Sequence, residues 1–277
     1  MVNSDEWINY RIWNLKTQKM FNLYKRHTYP LVVKMGKKIE ETHFSKPPII
    51  IGAAPRSGTT LLLSILDSIP TIYGIHNQSY GFTSWQKNAE GQLIPVRLDR
   101  FYRELLWRRI PSEVNRWCEK TPKNVIYFDK IFNWFGDQVK VIHLVRDGRD
   151  VVTSKHPKHR PNDYWVRIEK WVEHVSFALQ LTGHPNLITI RYEDLVFEFK
   201  KEMKKLCHFL DEDTIPDQKA WIQKTSLKRS KHWHHPVENL HSKSIGRWKD
   251  QKHQARIQEF MENQEAVGLL KRFGYKV

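Results

Sequence analysis

Three short, almost continuous apolar runs stand out along the chain. They are IIIGAA (Ile49–Ala54), VKVIHLV (Val139–Val145) and the start of NLITIRYEDL (Asn186–Leu195). A strand covered on both faces needs apolar side chains at successive positions, whereas a half-exposed strand alternates. The three runs therefore predict buried strands of a parallel sheet.

Apolar residues between and after these runs recur with helical spacing. One set falls at i, i+3, i+4, i+7 and i+11, which places it on one face of a helix: Ile168, Trp171, Val172, Val175 and Leu179. Helices are also predicted from Thr59 to Ile69, through Met203, Leu206 and Phe209, and from Gln254 to Phe273. Strands that alternate with helices indicate an α/β fold in which helices cover both faces of a central parallel sheet.

Residues 1–46 differ from the rest because aromatic and basic side chains are interleaved there. They predict one or two surface helices that end before Pro30, and Pro47 with Pro48 interrupts local structure. The simplest organisation is an N-terminal helical extension, 1–46, packed on a single domain, 47–277. A partner-binding or membrane-surface role for the extension is the alternative.

The charge balance points to an anionic partner. The 277 residues carry a formal charge of +16. Nucleic acid, an acidic membrane face and a phosphorylated small molecule all suit such a charge. No apolar run approaches the roughly 20 residues that span a bilayer, and the N-terminus lacks the apolar core of a signal peptide. Two cysteines, Cys118 and Cys207, predict buried free thiols. A cytoplasmic protein is expected.

The segment GAAPRSGTT joins the first predicted strand to a predicted helix. Backbone amides at a helix N-terminus favour an anion, and Gly58 permits a tight turn. Ser57, Thr59 and Thr60 add hydroxyl donors, while Arg56 offers a forked pair of N–H groups. The lysine that follows the last glycine in nucleotide hydrolases is absent. The segment therefore predicts a phosphate-type site without the usual hydrolase chemistry.

The second apolar run ends in a further group of charged residues, LVRDGRD. Arg146 comes first, and Asp147 lies between Arg146 and Arg149, which makes an ion pair more plausible than a metal ligand. Two cationic anchors at the ends of neighbouring strands suggest two separate phosphate sites. A nucleotide phosphorylated at both its 5′ and 3′ positions fits that arrangement.

Four segments, taken together, resemble the sulfotransferase family, in particular its tyrosylprotein-sulfotransferase-like and bacterial tailoring branches. They are PRSGTTLL, EKTPKN, VIHLVRDGRDVVTS and SIGRWKD, in the family's order. The resemblance implies a P-loop-like three-layer fold, and it implies that 3′-phosphoadenosine 5′-phosphosulfate is the donor. It also implies transfer of a sulfuryl group to a hydroxyl or nitrogen, without a metal.

The resemblance also implies roles for individual residues. Binding of the 5′-phosphosulfate would fall to Arg56, Ser57, Gly58, Thr59 and Thr60, and binding of the 3′-phosphate to Arg146 and Ser154. Lys158 falls where the tyrosylprotein branch has a further cation. Tyr192, and with it Arg191, would line the nucleotide, and Arg247 and Trp248 would close over it. Charge builds on the leaving bisphosphate during transfer, so cations there stabilise the transition state. Arg56 and Lys120 are predicted to supply them.

The general base is where the family pattern breaks. A glutamate usual in the resembling branch corresponds here to Gln78 or, in an ungapped register, to Asn77, and an amide cannot accept a proton as a base. Three interpretations stay open. His76 is the base, since its ordinary pKa suits neutral pH. Alternatively, the acceptor needs little help and Gln78 only orients it. The third is that Gln78 results from an engineered substitution of a glutamate.

A small-molecule acceptor is expected. The resemblance extends to bacterial tailoring enzymes, including cyanobacterial ones that modify guanidinium-type toxins at oxygen or at a carbamoyl nitrogen. Two other functions compete. A P-loop kinase of nucleotides or small molecules is disfavoured because Thr59 stands where its lysine would be. A nucleic-acid-binding module would need one coherent basic face with stacking aromatics, whereas the charges here are spread along the chain.

Overall fold

A computed structural model describes residues 27–155, 163–227, 237–238 and 240–277. Residues 1–26 of the predicted extension and the candidate site residue Lys158 lie outside the described residues. Elements are numbered below in chain order.

The described part of the chain contains a five-stranded parallel sheet with the order β2-β5-β1-β6-β7. Its strands are β1 (Ile49–Ala53), β2 (Ile72–Gly74), β5 (Arg116–Lys120), β6 (Lys140–Val145) and β7 (Leu187–Arg191). Strands β3 (Trp85–Lys87) and β4 (Leu93–Pro95) form a separate antiparallel pair. Because β1 lies at the centre, the loop that follows it opens at the middle of the sheet edge.

Helices cover both faces of the sheet. They are α1 (27–43), α2 (Thr59–Asp67), α3 (Leu98–Leu106), α4 (Phe128–Phe135), α5 (Gly148–Val152), α6 (Ile168–Leu179), α7 (Tyr192–Phe197), α8 (Phe199–Leu210), α9 (Trp221–Lys224), α10 (Gln254–Glu262) and α11 (Gln264–Arg272). Short 3₁₀ turns span Pro122–Tyr127, Ser242–Ser244, Arg247–Lys249 and Gln251–His253. The predicted α/β class, with helices on both faces of a parallel sheet, is confirmed.

Alternate residues of the buried strands serve opposite faces of the sheet. Ile49 and Ile51 pack in the cluster that α2, α7 and α8 complete. Ile50 packs on the other face, among residues of α3 and α4, and Val145 packs there against α6 and α11. Both cysteines, Cys118 and Cys207, are free and buried, as predicted. The continuous apolar letters of β1 thus reflect a strand with no solvent face.

Two predictions about helix ends are wrong. Residues 27–43 are helical with Pro30 among them, although a stop before Pro30 was expected. Contacts with the core override the local signal: Val32 and Val33 pack against the α3 side, and Glu40 accepts hydrogen bonds from side chains of α3 and β5. The single C-terminal helix expected from Gln254 to Phe273 is divided at Asn263, whose side chain caps α11.

His143 is an ionisable group in the middle of the sheet. It lies fully buried on β6, with Thr189 Oγ1 at 3.4 Å from its Nδ1, and His174 lies nearby on α6. Burial, with a smaller contribution from His174, lowers the pKa of His143 to about 3. The folded state therefore keeps this imidazole neutral where the unfolded chain would protonate it.

We expect His143→Gln to weaken the acid sensitivity of the fold. In the wild-type protein, unfolding becomes easier as the pH falls below the unfolded histidine pKa of about 6.5 and approaches 3, by up to about 1.4 kcal/mol per pH unit from this group. The glutamine variant lacks that contribution, so its free energy of unfolding should fall less steeply. Urea titrations across this range measure the slope. His208→Gln, on the exposed side of α8, is the control. Identical slopes for His143→Gln and wild type would contradict the assignment.

Candidate functional site

The loop between β1 and α2 forms a tight turn around its own amide groups. Arg56 has a φ of 71° and Gly58 a φ of 94°, both left-handed. A Cβ on Gly58 would lie 2.5 Å from the ring of Tyr192, so only glycine fits. No side chain caps the N-terminus of α2, and the buried Ser57 hydroxyl has no hydrogen-bond partner within the described residues. These donors match what an anion requires.

Arg146 follows β6 and reaches across to that loop. Its Nη1 donates to the carbonyl oxygen of Arg56 at 3.1 Å, and its Nη2 donates to the carbonyl of Ser244. Its guanidinium lies 4.6 Å from the centre of the Tyr192 ring, and its buried Nε finds no partner in the described parts of the chain. One predicted anchor, Arg146, is thus in direct contact with the backbone of the other, Arg56.

Asp150 fixes the C-terminal motif over the same edge. Its carboxylate accepts from the amides of Gly246 at 2.8 Å and Trp248 at 3.2 Å. The guanidinium of Arg149 stacks 3.9 Å from the Trp248 ring, and Arg149 also forms a 2.8 Å ion pair with Asp147, as predicted. Trp248 is therefore held by a neighbouring arginine, and its position depends on Asp150, which the motif comparison did not single out.

Three arginines meet at this edge of the sheet. Burial lowers the pKa of Arg56 and of Arg247, and the charge of Arg146 lowers both further. A pocket of about 520 Å³ opens there, lined among others by Arg56, Ser154, Lys155 and Arg247. Such crowding of like charges favours the binding of a multiply charged anion.

Ser154 lies in this pocket wall, but its hydroxyl donates to the carbonyl of Asp150 at 2.8 Å, one turn earlier in the chain. The oxygen keeps lone pairs, and the hydroxyl can rotate toward a ligand. The hydroxyl of Tyr192 lies 2.9 Å from Ser244 Oγ, so its ring forms a wall against Gly58 and Arg146. Arg191, also a candidate, instead pairs with Asp194 at 3.3 Å.

Lys120 comes to the loop from the neighbouring strand. The parallel register pairs it with Ile51 of β1, and its Nζ donates to Thr60 Oγ1 at 3.0 Å. Burial lowers the pKa of Lys120 to about 8, although the adjacent Glu119 opposes the shift. A lysine that still carries its charge near neutral pH thus lies against the first turn of α2.

Glu119 is a fully buried carboxylate that the sequence did not mark as important. It accepts from Ser79 Oγ at 2.9 Å, Thr121 Oγ1 at 2.6 Å and Asn124 Nδ2 at 2.7 Å. Four residues from two segments are thereby joined beside Lys120. The segment that precedes Ser79, which carries the base candidates, is held at the end of β5.

The base candidates take different positions along that segment. His76 Nε2 lies 3.4 Å from Ser226 Oγ, and burial followed by the charge of Arg108 lowers its pKa. The Asn77 amide donates to Glu104 Oε1 at 2.9 Å. Gln78 is half-buried between Asn77 and the Glu119-bound Ser79.

A family model of the sulfotransferase domain matches residues 46–267. The chain belongs to the sulfotransferase family. It is 30% identical to sulfotransferase 2A1 of Mus musculus over 74% of this chain and 75% of that protein. It is 26% identical to protein-tyrosine sulfotransferase A of Caenorhabditis elegans over 60% of this chain.

Solved structures agree on the sulfotransferase fold. The sulfotransferase domain of the Synechococcus PCC 7002 olefin synthase superposes with a TM-score of 0.58 at 22% identity. That match covers 85% of this chain and 98% of the other. The chain spans 50% of the worm tyrosine sulfotransferase and 64% of a rat sulfotransferase 2A1. Within the described residues, no helix is long and apolar enough to cross a membrane.

We expect Arg56→Ala or Arg146→Ala to weaken binding of 3′,5′-bisphosphoadenosine by at least about tenfold each. Every lost guanidinium removes one charge-assisted contact, which typically contributes about 1.5–3 kcal/mol. Isothermal titration calorimetry measures the affinities. Arg272→Ala, at the exposed end of α11, is the control and should bind normally. Unchanged affinity in both site variants would contradict the assignment of this edge.

Proposed function

We propose that this sulfotransferase moves a sulfuryl group from 3′-phosphoadenosine 5′-phosphosulfate to a hydroxyl or nitrogen of a small-molecule acceptor. The observation that carries the proposal is the meeting of Arg56, Arg146 and Arg247 at one sheet edge. Lys120 contacts the first turn of the helix that follows the Arg56 loop. A single ligand with anionic groups at both ends would relieve the repulsion among these cations.

The donor groups of the chain fit this ligand. The uncapped amides of α2, the Ser57 hydroxyl and Arg56 suit the 5′-phosphosulfate. The charge of Arg146, together with Ser154 and Arg247 in the pocket wall, suits the 3′-phosphate. When bound, the donor supplies an activated sulfuryl group on a bisphosphate leaving group. Thr59, Thr60, Tyr192 and Trp248 belong to the same proposed site, and so does Lys158, outside the described residues.

Lys120 is proposed to stabilise the charge that develops on the leaving bisphosphate. Its Nζ is already oriented by Thr60, so little reorganisation is needed. Because burial lowers its pKa to about 8, the ammonium form prevails at neutral pH and is lost above that value. Arg56 would act beside it from the loop.

His76 is the proposed base. Its lowered pKa keeps the imidazole neutral at pH 7, and a neutral imidazole has a lone pair that can accept the acceptor's proton. The Asn77 amide is occupied by Glu104, which leaves Gln78 to orient the acceptor. These observations support the interpretation in which His76 is the base, rather than the one in which Gln78 replaces a glutamate base.

A screen of acceptors tests the function directly. The purified protein is incubated with the phosphosulfate donor and a panel of phenols, alcohols, carbamates and guanidinium-type compounds, with a tyrosine peptide added because one relative is a protein-tyrosine sulfotransferase. Mass spectrometry should detect a sulfated small molecule. Sulfation of the peptide alone would overturn the acceptor class. Phosphorylated products with ATP and Mg²⁺, and none with the phosphosulfate, would establish the alternative kinase.

We expect Lys120→Ala to lower kcat about 100-fold while binding of the bisphosphate changes little, since the charge is needed mainly in the transition state. Lys120→Arg should keep partial activity, and its rate should persist at alkaline pH where the wild-type rate falls above about 8. Rates between about pH 6 and pH 10 measure the limb. Lys123→Ala, in the same motif, is the control. If the rate of the Lys120→Arg variant also falls above about pH 8, as the wild-type rate does, the result would argue against this role.

We expect Gln78→Glu to retain or raise turnover, by up to about tenfold, because it adds a carboxylate that can accept a proton beside the proposed base. Asn77→Asp is the comparison for the alternative register. It places a second carboxylate against Glu104, so turnover should fall. Steady-state kinetics on both folded variants decide. A folded but inactive Gln78→Glu protein would reject Gln78 as the position facing the acceptor.

A further inference from the structure

A carboxylate at the end of α2 organises the back of the loop that carries His76. Asp67 Oδ1 accepts from the amide of Gly74 at 2.9 Å. Its Oδ2 accepts from Thr225 Oγ1 at 2.9 Å, from the amide of Ser226 at 2.8 Å and from Ser226 Oγ at 2.9 Å. The segment at 225–226 and the end of β2 are therefore held by one side chain from a third element.

Ser226 connects this carboxylate to the imidazole of His76. A hydroxyl carries one proton, and a carboxylate can only accept, so the Ser226 proton points at Asp67. Toward His76 Nε2, 3.4 Å away, the Ser226 oxygen can then act only as an acceptor. The proton of the neutral ring consequently lies on Nε2, and the lone pair lies on Nδ1.

The charged groups around His76 come from α2, from α3 and from the residues just beyond α3. Burial is the largest influence and disfavours a second proton on the ring, as does Arg108 just beyond α3, whereas Asp67 of α2 and Glu104 of α3 favour it. Tyr73 of β2 lies with its ring centre 6.2 Å from that of His76. Since the net effect lowers the pKa of His76, the ring is neutral at pH 7 and its tautomer determines which atom is basic.

We infer that Asp67 and Ser226 are positioning residues that fix His76 in the Nε2–H tautomer and leave Nδ1 to accept the acceptor's proton. This inference rests on the proposed function. The acceptor O–H or N–H bond breaks as its proton passes to Nδ1, and its electron pair forms the new bond to sulfur. The sulfur–oxygen bond of the donor breaks, with its pair leaving on the bisphosphate. The imidazolium then returns the extra proton from Nδ1 to water.

The hydrogen bonds from Asp67 through Ser226 to His76 also affect the ring after it accepts a proton. Once Nδ1 accepts a proton, the ring carries a positive charge, and Ser226 passes the influence of the Asp67 carboxylate to Nε2–H. Because Ser226 lies between Asp67 and His76, the carboxylate orients the ring without lying against the acceptor. A chain with an amide at position 78, where the resembling branch has a glutamate, can thereby still provide an oriented base.

Nitrogen NMR tests the tautomer without any acceptor. In protein labelled with ¹⁵N-histidine, long-range ¹H–¹⁵N correlations assign the protonated nitrogen of His76, with His76→Gln to identify its signals. We expect Nε2–H in the wild type and a population of Nδ1–H in Ser226→Ala. Thr225→Val is the matched control, since it removes another hydroxyl bond to Asp67 and leaves the Ser226 contact with His76. A wild-type ring protonated on Nδ1 would overturn the inference, whatever the variants do.

Kinetics test the consequence for transfer. With the phosphosulfate donor and 4-nitrophenol as the probe acceptor, Ser226→Ala should lower kcat about 10- to 100-fold, with KM for the donor within about twofold. The acid limb of its kcat profile should move, Ser226→Thr should restore both, and Thr225→Val should stay within about threefold of wild type. Equal kcat and equal pH profiles in wild type and Ser226→Ala would refute the positioning role.

The NMR and kinetic experiments distinguish failure of this inference from failure of the proposed sulfotransferase function. Absence of sulfuryl transfer together with absence of bisphosphate binding would reject the proposed function. Normal bisphosphate binding and transfer, with the wrong tautomer or no effect of Ser226→Ala, would reject the inference alone. If the probe phenol is not accepted, the wild-type tautomer decides.

Discussion

The structure depends on the enforced proximity of positive charges where β1 and β6 end. Arg146 donates to the backbone of Arg56, and burial, followed by the charge of Arg146, lowers the pKa of both Arg56 and Arg247. Folding brings these groups together because strands buried on both faces have no freedom in register. Hydrogen bonds from Arg146 to backbone carbonyls and the carboxylate of Asp150 offset part of the repulsion. The positive charge that remains makes this edge suitable for binding anions.

Much of the sheet could be predicted because β1, β6 and β7 are apolar in sequence. Strands β2 and β5 were missed for physical reasons. β2 spans only three residues, and β5 contains Arg116, Glu119 and Lys120, letters that usually indicate solvent. All three are buried because each meets a partner elsewhere: Arg116 pairs with Glu212 at 3.2 Å, Glu119 accepts from neutral donors and Lys120 donates to Thr60. Such partners are invisible to a local pattern.

The site shows the same division. Motifs that are continuous in sequence, such as those around Arg56 and Arg146, could be found because their chemistry lies within a few residues. Asp67 and Ser226 could not, since 159 positions separate them and neither residue type is unusual at its place. Asp150 lies between these cases, because it belongs to a motif but acts on amides 96 and 98 positions away.

The bond from Arg146 to the Arg56 carbonyl has a consequence for donor choice. The guanidinium proposed to sense the 3′-phosphate also braces the turn proposed to hold the opposite end of the nucleotide. A ligand without the 3′-phosphate would thus leave the brace without its counter-charge as well as forgoing a contact. Selection between nucleotides would then act through the shape of the turn. Binding of the 3′-phosphate by Arg146 would help to hold the turn in the conformation that binds the 5′ end of the nucleotide.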